Sequence, residues 1–218
     1  MRSLVILPVL TIGLSTSAPR KQTADATIKR AIAAWSRVKT VRATFEQTLT
    51  NPITGSSMSS KGELQQRKPN KLAIHFTDPA GDRIVADGKH VWVFLQSATP
   101  GQVIRMSTTD VGAANTDLIG QFLSTPRSRY DVADAGRDNV GSRPARALIL
   151  TSKPGESLPF VRAKVWIDSA DALIRQFEST DPNGITRRVR LLTLAPNVAV
   201  KDKSFAFKVP SGVRIVER

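Results

Sequence analysis

Alternation between apolar and polar residues runs through most of this chain and predicts a structure built mainly from β-strands. From Val41 to Thr50 one face is mostly apolar and the other face is polar. This period of two is typical of a strand with one buried side. Turn-forming residues separate such stretches, and Asp87-Gly88 is a tight hairpin signal. The pattern therefore predicts ten or eleven strands arranged as consecutive antiparallel hairpins.

Two segments depart from this alternation and predict helices. Apolar residues recur at helical spacing between residues 24 and 39, and a shorter helical pattern begins near Asn115 or Thr116 and ends before Pro126. Strands this numerous must curl to bury one face. The expected fold class is mainly β with a few helices: an unclosed antiparallel β-barrel, or half-barrel, covered by a helical lid.

The first 17 residues predict a cleaved secretory signal peptide. Arg2 supplies the positive end, an apolar stretch runs from Leu4 to Leu14, and small residues follow up to a cleavage point after Ser17. The remaining residues, 18–218, are expected to form a single domain. This arrangement predicts a protein of the periplasm.

Charge and cysteine content narrow the function classes. The chain of 218 residues has a net charge of +14 and contains no cysteine. Disulfides are therefore excluded, and stability must come from the core. The charge favours acidic partners or anionic lipid, although a solvated basic surface explains it equally well. Because the basic residues are scattered and the protein is expected to be exported, nucleic acid is not an expected partner.

Candidate catalytic chemistry is sparse. His75 and His90 belong to different hairpins, so neither sits in a cluster with metal-ligand spacing. The sequence has no G-x-S-x-G nucleophile motif, phosphate loop or dinucleotide fingerprint. We therefore expect no enzyme, no cofactor and no metal site.

What remains as a candidate site is apolar surface on neighbouring strands and on the central helix. Taken alone, each of these side chains is an ordinary core residue; together they would form a binding surface only if the sheet fails to close around them. The candidates for such a surface are Phe45, Leu72, Ile74, Phe76, Trp92 and Phe94 from the sheet, and Ile119, Phe122 and Leu123 from the helix.

An ordered series of short motifs resembles the LolA family of periplasmic outer-membrane lipoprotein carriers. The series covers nearly the whole chain after the predicted signal peptide. It comprises VRATFEQ at 41–47, KGEL at 61–64, KPN at 68–70, DP at 78–79, DGKHVW at 87–92 and FAFKVPSGV at 205–213. The last of these resembles the family's closing F-x-F-x-x-P-x-G-V.

This resemblance implies a function and a set of partners. The hydrophobic cavity of the half-barrel would take the acyl chains of lipoproteins from an inner-membrane ABC-type release complex and pass them to an outer-membrane receptor. We expect such a carrier to be a monomer. In the family, an Arg before the Pro of an R-P-N motif fastens the lid by hydrogen bonds to helix carbonyls. Here Lys68 takes that position, and Arg67 lies one residue earlier.

Several alternatives stay open at this point. The same fold could serve as a sensor of lipoprotein anchors, or as a periplasmic lipid or glycolipid-binding protein, which the positive charge would suit. A secreted hydrolase would need a clustered nucleophile and base, which the sequence does not suggest. The latch could be Lys68 or Arg67, because adjacent residues of a strand point to opposite faces.

Overall fold

The computed structural model of the chain describes residues 18–111, 116–123 and 127–218. The predicted signal peptide, residues 1–17, lies outside this part, so its prediction stays untested. One long helix, α1 (Ala18–Ser36), precedes the strands, and a short one, α2 (Thr108–Val111), follows the sixth strand. Gly120–Phe122, Arg127–Arg129 and Asp202–Phe205 form 3₁₀ turns that lie wholly within the described residues.

Twelve strands in the described ranges form one sheet. They are β1 (Thr40–Thr50), β2 (Ser57–Arg67), β3 (Lys71–Asp78), β4 (Ala80–Asp87), β5 (His90–Phe94), β6 (Gln102–Ser107), β7 (Tyr130–Val140), β8 (Arg143–Ser152), β9 (Arg162–Asp168), β10 (Ile174–Thr180), β11 (Thr186–Pro196) and β12 (Arg214–Glu217).

The strand order is β12-β6-β5-β4-β3-β2-β1-β11-β10-β9-β8-β7. Two antiparallel meanders are therefore joined where β1 pairs with β11, and only β12 runs parallel to its neighbour, β6. No described pairing joins β7 to β12, so the sheet is unclosed. The expected class, mainly β with an open sheet of antiparallel hairpins, is confirmed.

The two faces of the sheet carry different clusters of apolar side chains. We call inner face the one that packs against α1 and residues 116–123, and inner cluster the apolar residues buried there. This cluster draws on nearly every strand and includes Phe45, Leu64, Leu148, Val165 and Phe177. The opposite, outer face carries smaller clusters, one of them around Trp92 and another around Trp166.

Close packing on the inner face explains one glycine of the KGEL motif. Gly62 on β2 pairs with Phe45 on β1. A Cβ at Gly62 would lie 2.5 Å from the carbonyl oxygen of His75 and 3.1 Å from the Phe45 ring. A side chain at this position would collide with the backbone of the next strand. The motif residue therefore makes room for the aromatic ring beside it.

Some predicted element bounds are corrected by the structure. Helix α1 begins earlier than expected and ends at Ser36, while the helix expected between residues 115 and 126 has only a 3₁₀ turn, Gly120–Phe122, in its described part. The described residues form twelve strands, where the sequence predicted ten or eleven, and Asp202–Phe205 is a 3₁₀ turn. Strand β7 runs to Val140 through an irregularity in its pairing after Asp134. None of the described helices is both long and apolar enough to span a membrane.

Candidate functional site

Four of the six predicted site residues on the strands lie on the inner face. Phe45, Leu72 and Ile74 are buried members of the inner cluster, and Phe76 packs against it while partly exposed. The rings of Phe45 and Phe76 meet edge to face with centroids 5.8 Å apart. The alternation of β1 and β3 therefore places these side chains together, as the sequence pattern predicted.

Trp92 and Phe94 lie elsewhere, on the outer face. They form a separate cluster with Val85 and Val103, against which the C-terminal segment packs through Phe207. Trp92 stacks on Phe207 with ring centroids 5.4 Å apart. This corrects their expected position beside the other site residues. Strand β5 is apolar on both faces, and its inward side chains are Val91 and Val93, so alternation alone could not say which face points inward.

The three candidates from the central segment are all in the inner cluster. Ile119 and Phe122 are fully buried and Leu123 nearly so. The Phe122 ring lies between Phe160, at a centroid distance of 5.5 Å, and Phe177, at 4.8 Å. Because β6 and β7 lie near opposite ends of the sheet, the chain between them has to cross from one side to the other. Its described part, 116–123, crosses over the inner face.

Helix α1 covers the inner face beside this segment. Its buried side is formed by Ala24, Ile28, Ala31 and Trp35, which repeat every three or four residues and all belong to the inner cluster. Its strongest contacts with the sheet are to β7, the edge strand. We refer to α1 and residues 116–123 together as the cover.

Lys68, at the corner between β2 and β3, is one of the residues that reach the cover; Arg127, paired with Asp25 of α1, and Tyr130, bonded to the Phe122 carbonyl, are others. The Nζ of Lys68 donates a hydrogen bond to the carbonyl oxygen of Trp35 at 2.7 Å, in the last turn of α1. The same ammonium lies 4.3 Å from the centroid of the Trp35 ring, within the range of a cation–π interaction. Lys68 thus contacts a helix carbonyl in the way that the resemblance implied for the family's Arg.

Arg67 points to the other side of the strand and contacts the C-terminal part of the chain. It forms an ion pair with Asp202 and donates a hydrogen bond to the carbonyl oxygen of Val200. Its guanidinium also lies 5.4 Å from the centroid of the Phe205 ring. Adjacent residues therefore serve opposite faces, and of the two candidates for the latch only Lys68 touches the cover.

A buried carboxylate that the sequence did not single out joins the two parts of the cover. Asp117 is only 9% exposed, and it accepts hydrogen bonds from the indole N–H of Trp35 at 3.1 Å and from the amide N–H of Gly120 at 2.7 Å. A Cβ at Gly120 would lie 1.9 Å from Asp117 Oδ2 and 2.6 Å from Trp35 Nε1. The packing here depends on all three residues, because Asp117 and Trp35 occupy the space that a side chain at position 120 would need. The sequence signal available was a lone acidic residue before an apolar run, which is too common to interpret.

The electrostatics of Lys68 reflect its position at the edge of the inner cluster. Partial burial lowers the pKa of Lys68 below its ordinary value of 10.5, and the nearby carboxylate of Asp117 partly offsets this. The positive charge of Lys68 therefore faces the negative charge of Asp117, and together they flank the Trp35 side chain. Removal of either charge would leave the other without an opposite charge in a partly buried site, which is energetically unfavourable.

Comparison with known proteins assigns the family. The family model described as "Outer membrane lipoprotein carrier protein LolA" matches residues 36–208. The chain belongs to this family. The match spans β1 to β11, hence both meanders and the inner face between them.

A curated relative agrees over almost the full length. The outer-membrane lipoprotein carrier protein of Chromobacterium violaceum is 27% identical over 215 residues, which is 97% of this chain and 97% of the relative. Such similarity aligns nearly the entire chain with one carrier protein.

Solved structures share the fold at low sequence identity. An uncharacterized conserved protein from Thermus thermophilus gives a TM-score of 0.54 at 14% identity, over 90% of this chain and all of that one. The Mycobacterium tuberculosis lipoprotein LppX gives 0.52 at 13% identity, over 83% of this chain and 98% of that one. These likenesses establish the architecture and say nothing of ligands.

Proposed function

We propose that this protein is a periplasmic carrier of lipoproteins, which binds their acyl chains against the inner face and moves them from the inner to the outer membrane. The observation that carries the proposal is a large apolar inner cluster whose cover is fastened by polar side chains, in a chain of the LolA family. Its partners would be an inner-membrane ABC-type release complex and an outer-membrane receptor. No step of this cycle requires bond chemistry, so we propose no enzymatic activity.

The structure corresponds to the closed, cargo-free form in this proposal. Ile119 and Phe122 fill the place that acyl chains would take, since they are fully buried among the aromatic residues of the inner face. Burial of an acyl chain contributes about 0.8 kcal/mol per methylene group. A few hydrogen bonds of about 1 kcal/mol each are small against that total. Cargo can therefore displace the cover, and the cover can return when cargo leaves.

Lys68 is the proposed latch, and Asp117 ties the two parts of the cover together. The Lys68 hydrogen bond is made to α1, and Asp117 connects α1 to residues 116–123. Opening of the helix would therefore disturb the segment as well. We propose that Ile119, Phe122 and Leu123 leave the inner face when α1 moves, which exposes Phe45, Leu72, Ile74 and Phe76 to the acyl chains.

Binding of a synthetic triacylated lipopeptide to the purified chain, residues 18–218, tests the proposal. Since the chain has no cysteine, two cysteines can be introduced for nitroxide labels: Ala33→Cys on α1 and Thr77→Cys on β3, both at exposed positions. We expect the lipopeptide to bind and the distance distribution between the labels to lengthen. The matched control is the same peptide without its acyl chains, which should change neither measurement.

Two results would contradict the proposal in different ways. If the lipopeptide does not bind while a free lipid does, the protein is a lipid-binding member of the family. If the lipopeptide binds and the distance between the labels stays the same, the inner face and its cover are not the acyl-chain site.

A further inference from the structure

A cavity with a basic and polar lining adjoins the inner cluster at the N-terminal half of α1. It encloses about 580 Å³, which is within the range of small-molecule sites. Its walls come from α1, β7, β8, the end of β9 and the turn that follows it. Ile167 and Ala172 line this cavity and are also members of the inner cluster. The cavity is therefore a polar continuation of the apolar site.

Three arginines line the cavity. The guanidinium of Arg137 is exposed and has no hydrogen-bond or ion-pair partner among the described residues. Arg30 makes one long hydrogen bond, 3.4 Å from Nη2 to the carbonyl oxygen of Ser169. Arg146 is held by a two-pronged ion pair to Asp134, which fixes its orientation. Two of the three guanidinium groups are thus available to a ligand.

The carboxylates in the same lining are already engaged. Asp138 accepts hydrogen bonds from the indole N–H of Trp166 at 2.7 Å and from the amide N–H of Asn139 at 2.8 Å. Asp168 is buried and pairs with Arg143 and Arg175. It also accepts the amide N–H of Ala170 at 2.8 Å. The charged groups left to bind a ligand are consequently the guanidinium donors, and the ligand they suit is an anion.

We infer that this cavity binds the phosphate of an anionic phospholipid headgroup whose acyl chains lie on the inner face; the inference rests on the proposed acyl-chain site. Guanidinium groups match phosphate oxygens in geometry and charge. The acyl chains would continue past Ile167 and Ala172 into the inner cluster. Helix α1 covers both parts, since Ala24 and Ile28 face the inner cluster while Thr27 and Arg30 line the cavity. One movement of the helix would open both.

Three soluble probes separate the possible sources of the phosphate. Isothermal titration of residues 18–218 would use dihexanoyl phosphatidylglycerol, dihexanoylglycerol with the same tails and no phosphate, and glycerol 3-phosphate. We expect the phospholipid to bind about tenfold more tightly than dihexanoylglycerol, because charged hydrogen bonds add to the apolar contacts. If glycerol 3-phosphate binds as tightly as the phospholipid, the lipid assignment is overturned and the ligand is a free phosphate ester.

The double variant Arg30→Gln/Arg137→Gln tests the position of the site. It should lower the affinity for the phospholipid about tenfold and leave dihexanoylglycerol binding unchanged. The control Arg83→Gln/Arg162→Gln removes two exposed cations on other strands and should behave like the parent chain. If the first variant fails to fold, Arg137→Gln alone serves, because that side chain has no described partner to lose.

The inference is overturned if the double variant binds the phospholipid as tightly as the parent does. It is also overturned if the control Arg83→Gln/Arg162→Gln loses as much phospholipid affinity as the double variant. Capture of the triacylated lipopeptide, measured in parallel, distinguishes this failure from failure of the proposed function. If the parent captures lipopeptide and shows no preference for the phospholipid, only the headgroup site is wrong. If the parent captures neither, the acyl-chain site is wrong as well.

Discussion

The inner cluster and the outer cluster around Trp92 are both rich in aromatic residues, yet they are covered in different ways. The outer cluster is covered by the C-terminal segment, which ends in β12 and pairs through its backbone with β6. The inner cluster is covered by α1 and residues 116–123, which form no described strand pairing and are fastened through side chains, among them Lys68, Asp117, Arg127 and Tyr130. One cover is part of the sheet, and the other can leave without breaking a ladder of backbone hydrogen bonds.

This difference is the reason for assigning the proposed binding to the inner face. Both regions bury enough aromatic surface to suggest a lipid site from the sequence, and aromatic content does not separate them. What separates them is the cost of removing the cover. Backbone ladders are lost cooperatively, whereas a few side-chain hydrogen bonds, each worth about 1 kcal/mol, can be exchanged for cargo contacts.

The largest effect should come from Phe122→Ala in the inner cluster. Truncation of a fully buried Phe costs about 3–5 kcal/mol, because transfer energy is lost and a cavity remains. We expect the free energy of unfolding, measured by urea denaturation, to fall by that amount. If Phe122→Ala lowers the free energy of unfolding by less than Phe207→Ala does, the view that residues 116–123 close the inner face is contradicted.

Phe207→Ala should have a smaller effect on stability and none on cargo. Phe207 is only partly buried over Trp92 and Phe94, so we expect a loss of about 2 kcal/mol in the same denaturation experiment. Binding of the triacylated lipopeptide should be unchanged. Weakened binding would show that the outer cluster belongs to the site after all.

Lys68→Met should shift the closed protein toward its open form. Met keeps an unbranched apolar stem beside the Trp35 ring but cannot donate the hydrogen bond to the helix carbonyl. In the proposed cycle, that hydrogen bond exists only when the cover is closed. Cargo then no longer has to break that bond, so we expect lipopeptide affinity to rise about tenfold through slower release.

Two controls accompany this variant. Lys68→Arg should restore the parent affinity, because guanidinium can make the same bond. Arg67→Met, one residue earlier on the other face, should not change lipopeptide release. An equal effect of Arg67→Met would argue against a latch at Lys68.

The smallest effect concerns acid stability of the outer region, where Asp87 binds the Trp92 indole at 2.9 Å. Burial alone would raise the pKa of Asp87, but hydrogen bonds from the His90 amide, the Trp92 indole and the Lys89 amide outweigh it and lower the pKa below its ordinary 3.8. The unfolded chain therefore takes up a proton first as the pH falls. The stability that Asp87 contributes is present above that ordinary value and is lost as the pH drops through the lower folded value.

Urea denaturation of the parent and of Asp87→Asn between pH 6 and about 3 measures this contribution. We expect the stability of the parent to fall more steeply below about pH 4 than that of the variant. If stability falls with pH equally steeply in the parent and in Asp87→Asn, the ionised carboxylate contributes no stability through its three hydrogen-bond donors. The same comparison made on lipopeptide binding should show no dependence on Asp87, because this residue lies away from the inner cover.

The sequence by itself indicated most of the strands, their hairpin order and the resemblance to the family. A period of two from Val41 to Thr50 specifies which side chains share a face, and turn residues such as Asp87-Gly88 specify where the chain reverses. These signals are local, so they can be read without knowledge of the rest of the chain. The number of strands predicted a half-open barrel, and the ordered motifs implied the same fold.

Only the tertiary structure decided which face is inward and what covers it. Strand β5 is apolar on both sides, so Trp92 and Phe94 could be assigned to the outer cluster only once Phe207 was seen stacked on them. The choice between Lys68 and Arg67 depended on the position of Trp35, more than 30 residues away. The role of Asp117 required α1 and residues 116–123 to be packed together. Alternation fixes the relative sides of neighbouring residues, whereas contacts between distant segments depend on how the whole sheet folds around them.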